Sequence, residues 1–133
     1  MARKITLAVL QAALTDDAAT NIKRISDLVR EAASKGADVI LPSELFEGHY
    51  FCTTQEEENF QRAFPWRESP AVKAMAKLAA ELNVVIPVSI FEKAGTDLWR
   101  FNARMDCCGV NGATLPIVVP MRWSGDTPVI MMT

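Results

Sequence analysis

The stretch GADVILPSELFEGHYF, residues 36–51, decides how this chain folds and where its chemistry lies. Its first part, ADVILP, is almost continuously apolar and predicts a parallel strand that is buried on both faces. Glu44 stands just past the end of this strand, where open α/β sheets gather their ligands and catalytic groups. The residue therefore suits either a plain surface loop or a general base, whose carboxylate would lie in a pocket and not in open solvent.

Upstream of this stretch, the residues predict a strand followed by an amphipathic helix. ITLAVLQ, residues 5–11, is rich in aliphatic and β-branched residues, as strands are. The helix begins near Asp16 or Asp17, and Gly36 provides a left-handed cap at its end. Its apolar residues recur every three or four positions and form one face: Ile22, Ile25, Leu28, Val29 and Ala32.

Downstream, a second helix and a third strand complete an α/β pattern. Ser69 caps a helix whose first residue is Pro70, and VVIPVSIF at 84–91 predicts the strand. Thr54 with Glu57 forms a capping-box pattern that predicts a short helix between the strand at ADVILP and the helix that starts at Pro70. With right-handed crossovers, we expect one mainly parallel sheet with both long helices on the same face.

Composition limits the class of protein. The chain has 133 residues, half of them hydrophobic, which suits a single domain with a real core. A net charge of -2, with both signs interspersed, argues against nucleic-acid binding, and no apolar run is long enough to span a membrane. The N-terminus alternates like a strand, which disfavours a signal peptide. Three cysteines, two of them adjacent, are no disulfide framework, so we expect a cytoplasmic protein.

The character of the chain changes after Gly95. Every lysine and every glutamate lies in the first 95 residues, whereas the last 38 hold four of the six methionines and two of the three tryptophans. We therefore divide the chain into residues 1–95, with a clear α/β pattern, and an irregular, divergent tail at 96–133.

Three segments of residues 3–95 carry a resemblance to known proteins: AVLQAAL, GADVILPSELFEGHYFC, and FQRAFPWRESPAVKAMAKLAAELNVVIPVSIFEKAG. Together they resemble the nitrilase superfamily of carbon-nitrogen hydrolases, and within it the N-carbamoylputrescine amidases of polyamine synthesis. The resemblance implies an α-β-β-α sandwich of which this chain holds the first part. It also implies hydrolysis of a small amide or carbamoyl amine, without a metal or an organic cofactor.

In that family a glutamate, a lysine and a cysteine perform the chemistry. Glu44 matches the glutamate, which is the general base that activates the cysteine thiol. Glu47, Tyr50 and Phe51 would line the substrate entrance, although plain loop packing is an equal alternative for these three. His49 would line the pocket or form hydrogen bonds there, which is favoured over a role as a metal ligand. His49 stands without a second ligand at metal-binding spacing.

The tail departs from the family at the decisive place. The family lysine belongs to a segment that corresponds here to GATLPIVVPMRWSGDTP, and Lys93 is the last lysine. The family cysteine belongs to a segment further on that has no counterpart here. Codons can be chosen for Arg122–Gly125 that read Asp-Gly-Pro, the core of the family segment, in another frame. A frameshift and genuine divergence both remain open.

Three functions are compatible with these observations. The first is a truncated amidohydrolase that is inactive alone, and the second is a non-catalytic binding or assembly module with the same fold. An unrelated flavodoxin-like domain is the third, which the continuous resemblance disfavours. A replacement nucleophile at Cys52, Cys107 or Cys108 is the less favoured catalytic alternative. Half of a sandwich would leave an apolar sheet face uncovered, so a homo-oligomer is also expected.

Overall fold

The computed structural model describes residues 4–54, 56–93, 103–108 and 114–118. Along the chain, the strands are β1 (Leu7–Val9), β2 (Val39–Leu41), β3 (Ile86–Phe91), β4 (Ala103–Cys108) and β5 (Thr114–Val118). The long helices are α1 (Ala18–Ser34) and α2 (Pro70–Leu82), and two short 3-10 helices lie between β2 and α2, at Phe51–Thr53 and Glu57–Arg62.

Both long helices begin as their sequences predict, and α1 also ends as predicted. Asp17 caps α1, where its carboxylate accepts a hydrogen bond from the Thr20 amide at 2.9 Å. That hydrogen bond lowers the pKa of Asp17. Gly36 follows α1 with a φ of 86°, the left-handed conformation that glycine adopts without strain. The Ser69 hydroxyl accepts from the Val72 amide at 3.3 Å and caps α2.

The two helices pack on the same face of the sheet and contact each other, which confirms the predicted arrangement. Of the predicted inner face of α1, Ile25, Val29 and Ala32 are buried, and α2 buries Val72, Met75 and Ala79. At the outer side, the Arg30 guanidinium donates to both carboxylate oxygens of Glu81, at 2.8 and 3.2 Å. The core thus lies between the helix pair and one face of the sheet.

The first three strands are neighbours, as predicted. β1 pairs with β2 in parallel register, Leu7 opposite Val39. On its other side β2 reaches the start of the third strand, since the Ile40 amide donates to the Val85 carbonyl at 2.9 Å. β4 and β5 then extend β3 in antiparallel register. These two strands lie within the tail at 96–133, which therefore contains regular structure at 103–108 and 114–118.

Among the described residues nothing covers the second face of the parallel strands, as expected for half of a sandwich, whereas the prediction that β2 is buried on both faces is wrong. Ile40 faces the helices and is fully buried, whereas Leu41 next to it is 40% exposed. In β1, Leu7 and Val9 are 71% and 75% exposed. The reason is that both helices pack on a single face, while alternate strand residues point to the opposite one.

The helix predicted from Thr54 and Glu57 is a 3-10 helix without a capping box. Thr54 instead ends the preceding turn, because its amide donates to the Phe51 carbonyl at 3.1 Å. The 3-10 helix at Glu57–Arg62 has Glu56 at its N-cap, with no side-chain hydrogen bond there. Its Phe60 ring packs on Phe91, with 6.1 Å between ring centroids. The described residues include no helix with the length and apolar character needed to cross a membrane.

Candidate active site

The loop that follows β2 carries Glu44 and is held at both ends. At its start Pro42 is buried, and the Ser43 hydroxyl donates to the Leu10 carbonyl at 3.1 Å, which ties the loop to the end of β1. Phe46 is fully buried in the core beneath the loop. Leu45 bridges these two points with a φ of 49°, an unusual conformation for a bulky residue.

Glu44 itself is exposed, which corrects the expectation that its carboxylate lies in a pocket. The position at the carboxyl end of β2 is as predicted. However, it borders the uncovered side of the sheet, where Leu41 is also exposed. No described element therefore covers the glutamate, and its buried neighbour Phe46 takes the inward position in the loop.

A cavity of about 280 Å³ lies beside the same loop, on the side of Glu47. Phenyl rings of Phe51, Phe64 and Phe91 line it, together with the charged side chains of Glu47 and Arg62. The Phe51 and Phe91 rings pack at 5.1 Å between centroids. The cavity thus combines an aromatic wall with charges of both signs.

Of the other predicted site residues, His49 and Tyr50 lie on the exposed outer part of the loop. His49 Nε2 is 3.9 Å from Asp16 Oδ1, and both side chains are largely exposed. Tyr50 is 49% exposed. The side chains of Cys52, Cys107 and Cys108 fall outside the described part of the structure. Within that part, no three His, Cys, Asp or Glu side chains are grouped as a metal site would need.

Glu47 is half-buried and bound to the start of α2. Its carboxylate accepts from the Ala71 amide at 3.1 Å and lies 3.5 Å from the Ser69 hydroxyl. Burial raises the pKa of Glu47, while these two hydrogen bonds oppose the shift. The side chain that was expected to face the substrate is therefore engaged with the protein.

Asn21 is a residue of this region that the sequence analysis did not single out. It is fully buried on α1. Its amide nitrogen donates to the carbonyls of Thr15, at 2.7 Å, and of Glu47, at 3.2 Å. A signal was available, because Asn21 lies one helical turn before Ile25 on the apolar face, where a polar residue needs buried partners.

Replacing Glu47 by glutamine is expected to change how the free energy of unfolding depends on pH. Because its pKa is raised, the folded chain binds this proton more tightly than the unfolded chain. The stabilisation is complete below the unfolded pKa, ordinarily 4.5, and is lost as pH rises through the folded pKa. Urea unfolding from about pH 4 to pH 7 should therefore show that the free energy of unfolding of Glu47→Gln increases relative to that of the wild type as pH rises. A difference in the free energy of unfolding that stays the same at every pH would contradict the raised pKa of Glu47.

Comparison with known proteins places this chain in a family. The family model for carbon-nitrogen hydrolases matches residues 6–107, which include the loop and Glu44. The chain belongs to the carbon-nitrogen hydrolase family. In structure, it resembles a carbon-nitrogen hydrolase from Helicobacter pylori G27 with a TM-score of 0.72 and 22% identity, covering 86% of this chain and 39% of the other. The fold is thus that of the nitrilase superfamily.

Two relatives carry names that specify a substrate. An N-carbamoylputrescine amidase from Arabidopsis thaliana is 48% identical over 109 residues, or 82% of this chain and 36% of the relative. A citrullinase from Francisella tularensis is 36% identical over 105 residues, or 79% of this chain and 37% of the relative. The chain therefore spans about a third of the length of these relatives.

Proposed function

We propose that this chain is the part of a carbon-nitrogen hydrolase that supplies the general base, and that the reaction is the hydrolysis of N-carbamoylputrescine. The observation that carries the proposal is the position of Glu44 at the carboxyl end of β2, within a segment that is 48% identical to an N-carbamoylputrescine amidase. The citrullinase relative supports the same substrate class, because both named substrates end in a ureido group.

In the proposed reaction Glu44 accepts the proton of a cysteine thiol, and the thiolate attacks the ureido carbonyl. A lysine ammonium stabilises the oxyanion of the tetrahedral intermediate, which collapses by breaking one carbon–nitrogen bond, and the amine leaves with the proton that Glu44 accepted. Water then cleaves the carbon–sulfur bond, and the carbamic acid that it releases breaks down, so that the overall products are putrescine, carbon dioxide and ammonia. The resemblance assigns the lysine to a segment that holds no lysine here, and the cysteine to a segment further on that has no counterpart here. We therefore expect the 133-residue chain to show no turnover by itself.

The proposal also assigns the substrate entrance to residues of the loop beyond Glu44. His49, Tyr50 and Phe51 would border the substrate entrance, because the first two are exposed and Phe51 lines the aromatic cavity. A cytoplasmic location belongs to the proposal as well, and it rests on the cysteine pattern. No step requires a metal or an organic cofactor.

One observation favours a second function, that of a non-catalytic assembly module. Leu7 and Val9 expose their side chains on the uncovered sheet face, as a surface that packs against another sheet would. Self-association through this face would make the chain an oligomer. Sedimentation of the wild type and of a Leu7→Lys variant distinguishes the possibilities, since only an assembly module should lose its oligomeric state in the variant.

The catalytic proposal is tested in a joined protein, in which residues 1–93 of this chain replace the matching part of the Arabidopsis relative. This joined protein should release putrescine from N-carbamoylputrescine, and the intact relative is the positive control. A folded joined protein that binds the substrate but releases no putrescine would contradict the proposal.

A further inference from the structure

We propose that Glu47 and Asn21 position Glu44 by tying its loop to both long helices, and that Glu47 acts through this tie and not by contacting the substrate. The inference rests on the proposed role of Glu44 as the base. It changes the expected role of Glu47 from a substrate ligand to a positioning residue.

The loop needs such restraint because its own geometry is unfavourable. Leu45, directly after Glu44, has a left-handed backbone conformation that a bulky residue rarely adopts. Local support comes from a long hydrogen bond, which the Gly48 amide donates to the Leu45 carbonyl at 3.4 Å. A strained conformation persists only where the surroundings hold it.

The first tie is made by Asn21 to the backbone of the loop. Besides its two donated bonds, its amide oxygen accepts from the Thr15 amide at 2.9 Å and from the Thr15 hydroxyl at 3.1 Å. An asparagine side chain has two donor hydrogens and two acceptor lone pairs, so all of its capacity is used. One of these four bonds holds the Glu47 carbonyl, which fixes the loop to α1.

The second tie is made by the Glu47 side chain to α2. The Ala71 amide belongs to the first turn of that helix, whose N–H groups lack partners within the helix. A carboxylate there also interacts favourably with the positive end of the helix dipole. The backbone of Glu47 is thus bound to α1 and its side chain to α2. The loop cannot shift without breaking contacts to both helices.

Amide hydrogen exchange in the 133-residue chain tests the tie directly. Glu47→Ala should speed exchange at the Ala71 and Gly48 amides by about tenfold, because the bond to α2 is lost. Glu47→Gln retains the acceptor oxygen and should exchange within about twofold of the wild type. Glu47→Asp keeps the charge but shortens the side chain, and should resemble Glu47→Ala. Glu58→Ala, at an exposed position, is the matched control.

Two outcomes would overturn the tie. One is unchanged exchange at Ala71 and Gly48 in both Glu47→Ala and Glu47→Asp. The other is equally fast exchange in Glu47→Gln, which would show that the acceptor oxygen is irrelevant. If Glu47→Ala fails to fold, the comparison of the glutamine and aspartate variants still decides the matter.

Kinetics of the joined protein separate positioning from substrate contact. A misplaced base should lower kcat by about tenfold or more in Glu47→Asp while KM stays unchanged, and Glu47→Gln should restore kcat. A raised KM that glutamine does not restore would instead indicate substrate contact and overturn the proposal. Turnover that survives Glu44→Gln would refute Glu44 as the base, whereas the exchange measurements would still decide whether the tie exists.

Discussion

Replacing Glu44 by glutamine in the joined protein is expected to lower kcat by about 10²–10⁴-fold. Glutamine has nearly the same shape but no basic oxygen, so it cannot accept the thiol proton. Because Glu44 is exposed, the free energy of unfolding should change by less than about 0.5 kcal/mol. Putrescine release under substrate saturation measures the first effect, and urea unfolding measures the second.

The control for this change is Glu58→Gln, which alters an exposed glutamate in the 3-10 helix at Glu57–Arg62. Both variants remove one negative charge, so a general charge effect would appear in both. Only Glu44→Gln should lose turnover. Equal activity of the two variants would mean that the base is another residue.

The second large effect is expected from Phe46→Ala, which should lower the free energy of unfolding by about 3–5 kcal/mol. Phe46 is fully buried beneath the loop and joins the core formed by both helices and the sheet. Removing the ring loses the favourable free energy of its transfer from water to the core. It also leaves a cavity, which the surrounding side chains fill only in part. Urea denaturation followed by tryptophan fluorescence measures the change.

Phe64→Ala is the control for Phe46→Ala, since Phe64 is 40% exposed and buries less of its surface on folding. Its expected cost is about 1 kcal/mol. Phe46→Leu should fall between the two alanine variants, because leucine keeps part of the buried volume. Similar costs for Phe46→Ala and Phe64→Ala would refute the view that Phe46 anchors the loop in the core.

The features that the sequence predicts well depend on interactions between residues that are close together in the sequence. Asp17 and Ser69 act on amides only three residues further on, so their caps are visible as local patterns. The order of the first three strands also follows from local elements, because right-handed crossovers restrict their arrangement. Burial of β2 on both faces was predicted wrongly, because its apolar run does not reveal which elements cover the second face.

The candidate site likewise has features that local sequence predicts and features that depend on tertiary packing. The place of Glu44 past a strand was predictable from the strand itself, whereas its exposure depends on what covers the sheet. Glu47 finds its partner 24 residues away in α2, and Asn21 holds a carbonyl 26 residues away. Contacts at such separations are set by tertiary packing and leave only an indirect trace in the sequence, such as a polar residue on an apolar helix face.

The backbone of Leu45 affects which amino acids evolution can place beside the base. Exchanges of leucine for isoleucine or valine rank as conservative in general substitution tables, yet a β-branched residue at a φ of 49° is a severe outlier. Asparagine and glycine rank as radical exchanges but adopt this conformation readily, as Asn83 does at a φ of 55°. A saturation library at this codon should therefore invert the usual order of tolerance, with the backbone angle rather than hydrophobicity selecting the survivors.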